Sequence, residues 1–149
     1  MEQKKEQLTI LIQQAKALAG IYHKAIRYAG VSDNEFWIWY SLITLDDVQS
    51  QQDICQYSGI PKQTVNNIIS AMVKKEYITL QPVPGTKNRK NICLTDAGRK
   101  HGEAMIGPLW EAESRAFARI SDVEKAALFA VLSKYVDVFT EELEGITDF

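Results

Sequence analysis

The sequence predicts a mainly α-helical protein that contains one small β-hairpin, and three observations support this fold class. Apolar residues recur at helical spacing over most of the 149 residues. Turn-favouring segments, such as those around Gly30 and Gly59, separate the helical patterns. Residues 78–80 and 92–94 alternate in the manner of strands, with a loop containing Pro84 between them. The pattern therefore predicts helices arranged around a hairpin.

The composition is that of a soluble globular protein. Apolar residues make up 46% and charged residues 24% of a chain long enough to bury a core in one domain. A run of about 18 apolar residues is absent, so we expect no membrane partner. The N-terminal pattern is not that of a signal peptide. Two distant cysteines, Cys55 and Cys93, form no disulfide framework or metal cluster. We expect a cytoplasmic protein with no metal and no cofactor.

The first predicted helix spans residues 2–29 and ends at Gly30. Its apolar residues form two stripes, and a helix with two apolar faces usually has two partners. We expect one face to join the protein's own core and the other to contact a second subunit. The first stripe contains Leu8, Ile12, Ala15, Leu18, Ala19, Tyr22, Ala25 and Ile26, and the second contains Ile10, Leu11, Ile21 and Ala29.

A second helix is predicted at residues 33–45, where Ser32 and Glu35 have the spacing of a capping box. Asp46 and Asp47 are predicted to end it. Little of this helix can face water, because it carries Phe36, Trp37, Ile38, Trp39, Tyr40, Leu42 and Ile43.

Residues 51–68 predict a short helix, a tight turn and another helix. Ser50 and Asp53 begin the first helix of this pair, and Gly59 suits a left-handed backbone in the turn. Pro61 suits the first turn of the second helix, predicted at residues 61–75. That helix has one apolar face, made of Val65, Ile68, Ile69 and Met72.

The opposite face of this second helix is suited to a DNA major groove. Amide side chains can pair with adenine edges, and a lysine can contact guanine or phosphate. The alternative is a helical hairpin whose polar face is merely solvated. The candidate DNA-binding residues on this helix are Lys62, Gln63, Thr64, Asn66, Asn67 and Ser70.

The hairpin predicted at residues 79–94 has a basic tip that contains Lys87, Arg89 and Lys90. Directly after a helix pair, such a hairpin would be a wing that reaches the DNA backbone or a minor groove. A loop kept soluble by its charges is the alternative. The chain has a net charge of −2, yet residues 60–100 contain eight basic and two acidic residues, a net +6. This distribution favours a module that binds nucleic acid.

Two long helices are predicted after the hairpin, at residues 96–119 and from a capping box at Ser121 and Glu124 to residue 144. Pro108 is expected to kink the first of them. The last helix carries a long apolar stripe, more than the winged module needs. We therefore expect two chains to pair through the terminal helices, which would set two reading helices about one DNA turn apart.

The order of these elements resembles the MarR family of bacterial transcription regulators over essentially the whole chain. The most specific pieces are the helix pair ending in TVNNIISAMVKKEYI and the motif LTDAGR at residues 94–99. The resemblance implies a winged helix-turn-helix homodimer that binds a pseudo-palindromic operator in double-stranded DNA, often as a repressor released by a small ligand. Residues 86–89 depart from the family's Asp-x-Arg pattern, so a carboxylate that orients Arg89 is expected to be absent.

The resemblance divides residues 1–149, as a single domain, into dimerisation helices at 1–30 and 96–149 and a DNA-binding region at 31–95. It also implies an effector site between the first two helices and the helix pair, where aromatic walls suit planar aromatic acids. The alternative is that the same residues are simply core. The candidate pocket residues are Tyr22, His23, Ile26, Trp37, Tyr40 and Ile43.

Catalysis has little support, because His23 and His101 lie on different helices without a nucleophile at suitable spacing. We expect no enzyme. Neither cysteine has a basic neighbour that would activate its thiol, so inert packing is favoured over redox sensing. Two rival functions stay open: a helical interaction module that binds an acidic protein through its basic hairpin, and a ligand sensor with weak DNA affinity.

Overall fold

The computed structural model describes residues 2–45 and 50–146. The described residues form a mainly helical protein with a two-stranded hairpin, and this confirms the predicted fold class. The elements are α1 (Glu2–Ala29), α2 (Asp33–Thr44), α3 (Gln51–Ser58), α4 (Lys62–Lys74), β1 (Ile78–Pro82), β2 (Lys90–Leu94), α5 (Asp96–Phe117) and α6 (Asp122–Glu144).

Most helix boundaries follow from local sequence signals. The Ser50 hydroxyl accepts a hydrogen bond from the Asp53 backbone N–H at 3.2 Å, and the Asp53 carboxylate accepts one from the Ser50 N–H at 2.8 Å. At α2, Ser32 accepts from Glu35, which is one of the two bonds of the predicted capping box. The helix ends one residue earlier than predicted, at Thr44. The predicted role of Asp46 and Asp47 falls outside the described residues.

The turn between α3 and α4 has the predicted geometry. Gly59 adopts a left-handed backbone with φ of 67°, which a residue with a Cβ rarely adopts. Ile60 is buried directly after it. Pro61 is the N-cap of α4, so the helix begins at Lys62 and ends at Lys74 rather than spanning residues 61–75.

The hairpin is antiparallel and its register pairs Ile78 with Leu94 and Pro82 with Lys90. An isolated β-bridge joins Ser50 to Asn91 of β2. The start of α3 is therefore attached directly to the second strand of the wing.

The junction from hairpin to α5 explains part of the LTDAGR motif. The Thr95 hydroxyl donates to the carbonyl of Glu76, which has a left-handed φ of 60°, and accepts from the Gly98 N–H. A Cβ at Gly98 would lie 1.8 Å from the Tyr77 carbonyl oxygen. Only glycine fits this close approach of α5 to the turn after α4.

Two compact units are present, one up to Trp110 and one from Glu111 onward. The first contains the hydrophobic core, to which α2 and α4 contribute most. Ile26 is the buried residue that α1 supplies. The core residues are Ile26, Phe36, Ile38, Trp39, Tyr40, Ile54, Ile60, Val65, Ile69, Met72, Ile78, Ile92 and Ile106.

The second unit contains the end of α5 and the whole of α6. Helix α5 ends at Phe117, two residues before the predicted end, and Pro108 lies inside it. The Phe117 and Phe129 rings stack at 5.9 Å, and the predicted capping box of Ser121 and Glu124 starts α6. None of the described residues of α6 is buried.

Candidate nucleic-acid interface

Helix α4 has two sharply different faces. Val65, Ile69 and Met72 are buried in the core and fix the helix in place. The candidate residues on the other side are exposed, except for Thr64, which is half-buried. The exposed ones are Lys62, Gln63, Asn66, Asn67 and Ser70. Packing of one face therefore presents a polar face with a lysine at the helix start.

Two amides on this exposed face contact each other. The Gln63 Nε2 group donates a hydrogen bond to Asn67 Oδ1 at 2.9 Å, one helical turn further along. The contact leaves the Gln63 carbonyl oxygen as an acceptor and the Asn67 amide as a donor. An acceptor and a donor are the two kinds of group that pair with the N6 and N7 positions of adenine in a major groove.

A groove of about 560 Å³ brings the start of α4 and the hairpin tip together. It unites five predicted residues from the two elements, namely Lys62, Asn66, Lys87, Arg89 and Lys90. Gln63, Thr64, Asn67 and Ser70 do not line it. Sequence reasoning missed residues of α3 and its cap, of β1 and of the hairpin tip that also line the groove, namely Ser50, Gln51, Gln52, Leu80, Thr86 and Asn88.

The expectation that Arg89 lacks an orienting carboxylate is wrong. Its Nη2 lies 3.3 Å from both carboxylate oxygens of Asp53, in the first turn of α3. The acid is 36 positions away in sequence, so the local Asp-x-Arg pattern could not reveal it. The bridge from Ser50 to Asn91 brings the start of α3 beside the hairpin and makes this contact possible.

The candidate effector residues divide into two groups. Tyr22, His23, Ile26 and Trp37 line a groove of about 320 Å³ between α1 and α2, whose wall also includes Asp33. The Tyr22 and Trp37 ring centroids are 5.1 Å apart. The His23 Nδ1 and the Asp33 carboxylate approach to 3.7 Å, and both side chains are exposed.

The remaining two candidates lie elsewhere. Tyr40 is buried, and its ring lies 5.4 Å from that of Trp37 and 6.3 Å from that of Trp110. Ile43 faces α5, because a Cβ at Gly102 would lie 2.6 Å from its Cδ1 atom. These two residues therefore sit with the core and do not line the groove.

The cysteines, possible metal ligands and possible membrane spans were the remaining features that the sequence raised. Cys55 and Cys93 are both half-buried and unpaired with each other. Within residues 2–45 and 50–146, no cluster of His, Cys, Asp and Glu could hold a metal ion. Over the same residues, no helix has the length and apolar content that a membrane span requires.

Known proteins match both the sequence and the fold. A family model described as the MarR family matches residues 29–87. A MarR family regulator from Neisseria meningitidis has a similar structure, with 22% identity, a TM-score of 0.78 and coverage of 93% of this chain and 97% of that one. The chain therefore resembles MarR family regulators in sequence over residues 29–87 and in fold over most of its length.

Two further relatives were found. The HTH-type transcriptional repressor NicR from Pseudomonas putida is 23% identical over 88 residues, 59% of this chain. The matched segment spans only 56% of NicR. The Staphylococcus aureus MepR–DNA complex has 22% identity, a TM-score of 0.60 and coverage of 86% of this chain and 96% of that one. The prediction that the chain is not an enzyme agrees with these matches, which are all to transcriptional regulators.

Proposed function

We propose that the protein is a homodimeric repressor that reads a pseudo-palindromic operator in double-stranded DNA. Helix α4 lies in the major groove, and the wing contacts the backbone or a minor groove. A small ligand regulates this binding. The observation that carries the proposal is the groove that joins the polar face of α4 to the basic hairpin tip.

Charge and exposure both suit this role. The segment from residue 60 to residue 100 carries a net +6, while the rest of the chain carries −8. A local excess of positive charge attracts the phosphate backbone, and amides on a rigid helix then read base edges. Lys62, Lys87, Arg89 and Lys90 supply the charge, and Gln63, Asn66 and Asn67 supply the amides.

The apolar surface of the terminal helices supports a dimer. Leu18 and Ile21 of α1 are 56% and 59% exposed, and Val131 and Phe139 of α6 are 67% and 55% exposed. Repeated apolar side chains on one helix cost free energy in water and mark an interaction surface. A second copy of the chain covers them and provides the second reading helix of a two-fold operator.

Repression and ligand control rest on different features. The match to a transcriptional repressor, NicR, favours repression over activation. The groove lined by Tyr22, His23 and Trp37 favours a planar aromatic acid, because aromatic rings can pack against its ring and an imidazole can hydrogen-bond its carboxylate. Ligand bound between α1 and α2 would change the spacing of the two reading helices.

Selection of bound fragments from a random DNA pool tests the proposed DNA binding. We expect one motif with two inverted half-sites whose centres lie about 10 base pairs, or one DNA turn, apart. Binding should weaken steeply as salt rises. An interaction module for an acidic protein would instead enrich no motif, and nonspecific DNA would compete with its acidic partner.

Calorimetry tests the ligand and separates it from DNA binding. Aromatic acids titrated into the free protein should release heat that falls when Trp37→Ala removes a groove wall. The selected operator should weaken the same titration, since linkage is reciprocal. Strong ligand binding with no effect of DNA would instead indicate a ligand sensor whose DNA affinity is slight.

A further inference from the structure

The contact between Asp53 and Arg89 joins two separate parts of the candidate interface. Asp53 lies in the first turn of α3, and Arg89 lies at the hairpin tip next to β2. The Nη2 atom is 3.3 Å from each carboxylate oxygen, and the two side chains are 25% and 45% exposed. The less exposed Asp53 carboxylate therefore restrains the more exposed Arg89 side chain.

The acidic partner is itself held rigidly. Asp53 Oδ2 accepts hydrogen bonds from the Ser50 N–H at 2.8 Å and from the Ser50 hydroxyl at 2.7 Å. Ser50 also bridges to Asn91, two residues after Arg89. The capping box of α3 and the second wing strand thus form one frame in which the carboxylate has a fixed direction.

The capping role of Asp53 does not by itself account for its contact with Arg89. The capping box of α6 has nearly the same geometry, with Glu124 accepting from the Ser121 N–H at 2.9 Å and from its hydroxyl at 2.7 Å. None of the ion pairs within the described part of the chain involves Glu124. The pairing with Arg89 is therefore an addition to the cap at α3.

The contact leaves most of the guanidinium for another acceptor. Only Nη2 contacts Asp53, and the Nε and Nη1 groups donate to no described residue. An arginine fork binds phosphate or the edge of a base through two parallel donors. Holding one corner of the fork limits the directions in which the other donors point.

We propose that Asp53 is the positioning residue for Arg89 at the DNA, and this inference rests on the proposed DNA-binding function. The acid lowers the local positive charge, so its benefit lies in operator preference and not in overall attraction. Removing the charge but keeping the cap should strengthen the attraction to all DNA while reducing the preference for the operator. A purely structural role for Asp53 would change neither property in this way.

The test compares affinities for the selected operator and for nonspecific DNA of equal length. Asp53→Asn keeps an oxygen acceptor for Ser50, and we expect it to lower the operator preference about tenfold. Asp53→Glu should restore part of that preference. Glu124→Gln, the matched change in the other capping box, should leave it unchanged.

A double-mutant cycle links the effect to Arg89. Arg89→Ala should lower the preference by a similar factor, and adding Asp53→Asn should lower it no further, because the pair acts as one unit. Arg89→Lys changes the arginine of the pair and leaves the capping box of α3 intact. This variant should also lose preference for the operator. This second variant keeps the test informative if Asp53→Asn reduces folding.

The possible outcomes separate this inference from the proposed function. Operator preference that Arg89→Ala lowers but Asp53→Asn and Arg89→Lys leave intact overturns the positioning role alone. Independent, additive effects of the two substitutions also overturn it. A wild-type protein that prefers no DNA sequence overturns the positioning role together with the proposed function.

Discussion

Helices α4 and α6 both carry a long apolar stripe, but the described residues of that stripe are buried in α4 and largely exposed in α6. Val65, Ile69 and Met72 of α4 are 0–2% exposed. In α6, by contrast, Val131 and Phe139 are more than half exposed. A similar pattern of apolar residues is therefore buried in the core in α4 and largely exposed to solvent in α6.

This difference assigns different tasks to the two helices. The apolar face of α4 holds the helix in a fixed orientation, and we propose that its polar face reads DNA. We propose that the exposed apolar face of α6 is a contact surface and that a second copy of the chain is its partner. Substitutions on the two helices should therefore have different consequences.

The largest effect is expected in the core side of α4. Ile69→Ala removes a fully buried side chain and should lower the free energy of unfolding by about 2–5 kcal/mol. Denaturant unfolding at two protein concentrations measures it. The matched control, Val123→Ala at the 80% exposed start of α6, should change it by less than about 0.5 kcal/mol. Equal losses of unfolding free energy at both sites would contradict the difference between the buried face of α4 and the exposed face of α6.

The next effect concerns the apolar face of α6. Phe139→Asp places a charge in the proposed contact with the second copy, and it should weaken dimerisation about 100-fold. Sedimentation velocity measures the change, and circular dichroism should remain that of a helical protein. Lys134→Asp puts the same acid elsewhere on α6 as a control. A dimer that survives Phe139→Asp would rule out this face.

A smaller effect is expected from the polar face of α4. Asn67→Ala removes one member of the amide pair with Gln63 and should cost about 1–3 kcal/mol at one base pair of the operator. Affinities for operators altered at single positions locate that base pair, and the salt dependence should stay unchanged. Gln56→Ala, an exposed amide on α3 outside the groove, should alter no position.

The smallest effect concerns the cap of α6. The Ser121 hydroxyl and then its backbone N–H lower the pKa of Glu124 below its usual 4.5. The ionised carboxylate therefore stabilises the helix start above that pH, and this contribution is lost as the pH falls through the lowered pKa. Ser121→Ala should raise the pKa of Glu124 in an NMR titration. An unchanged pKa would mean that the hydroxyl contact is absent in solution.

Sequence reasoning predicted the features that depend on neighbours in the chain. The bounds of α1, the caps at Ser50 and Ser121 and the left-handed Gly59 follow from residue types at fixed short spacings. The wing followed from strand alternation and its basic tip. The candidate DNA-binding residues other than Thr64 are exposed on these elements, as a face opposite a buried stripe requires.

Features that depend on distant parts of the chain could not be predicted in this way. Asp53 reaches Arg89 across 36 positions, because a bridge attaches Ser50 to β2. Ile43 packs towards α5 because Gly102 leaves space there, so it does not line the groove with Tyr22. Helical periodicity gives the face of a residue but not the neighbour that covers it.

Photo-crosslinking from α4 tests the central claim most directly. A benzophenone amino acid replaces Asn67 in one variant and Glu142, near the end of α6, in another, and each variant is irradiated with the selected operator. We predict crosslinks from position 67 to bases in both half-sites and none from position 142. Crosslinks from position 142 alone, or none from position 67 in a protein that still binds the operator, would contradict the assignment of α4 as the reading helix.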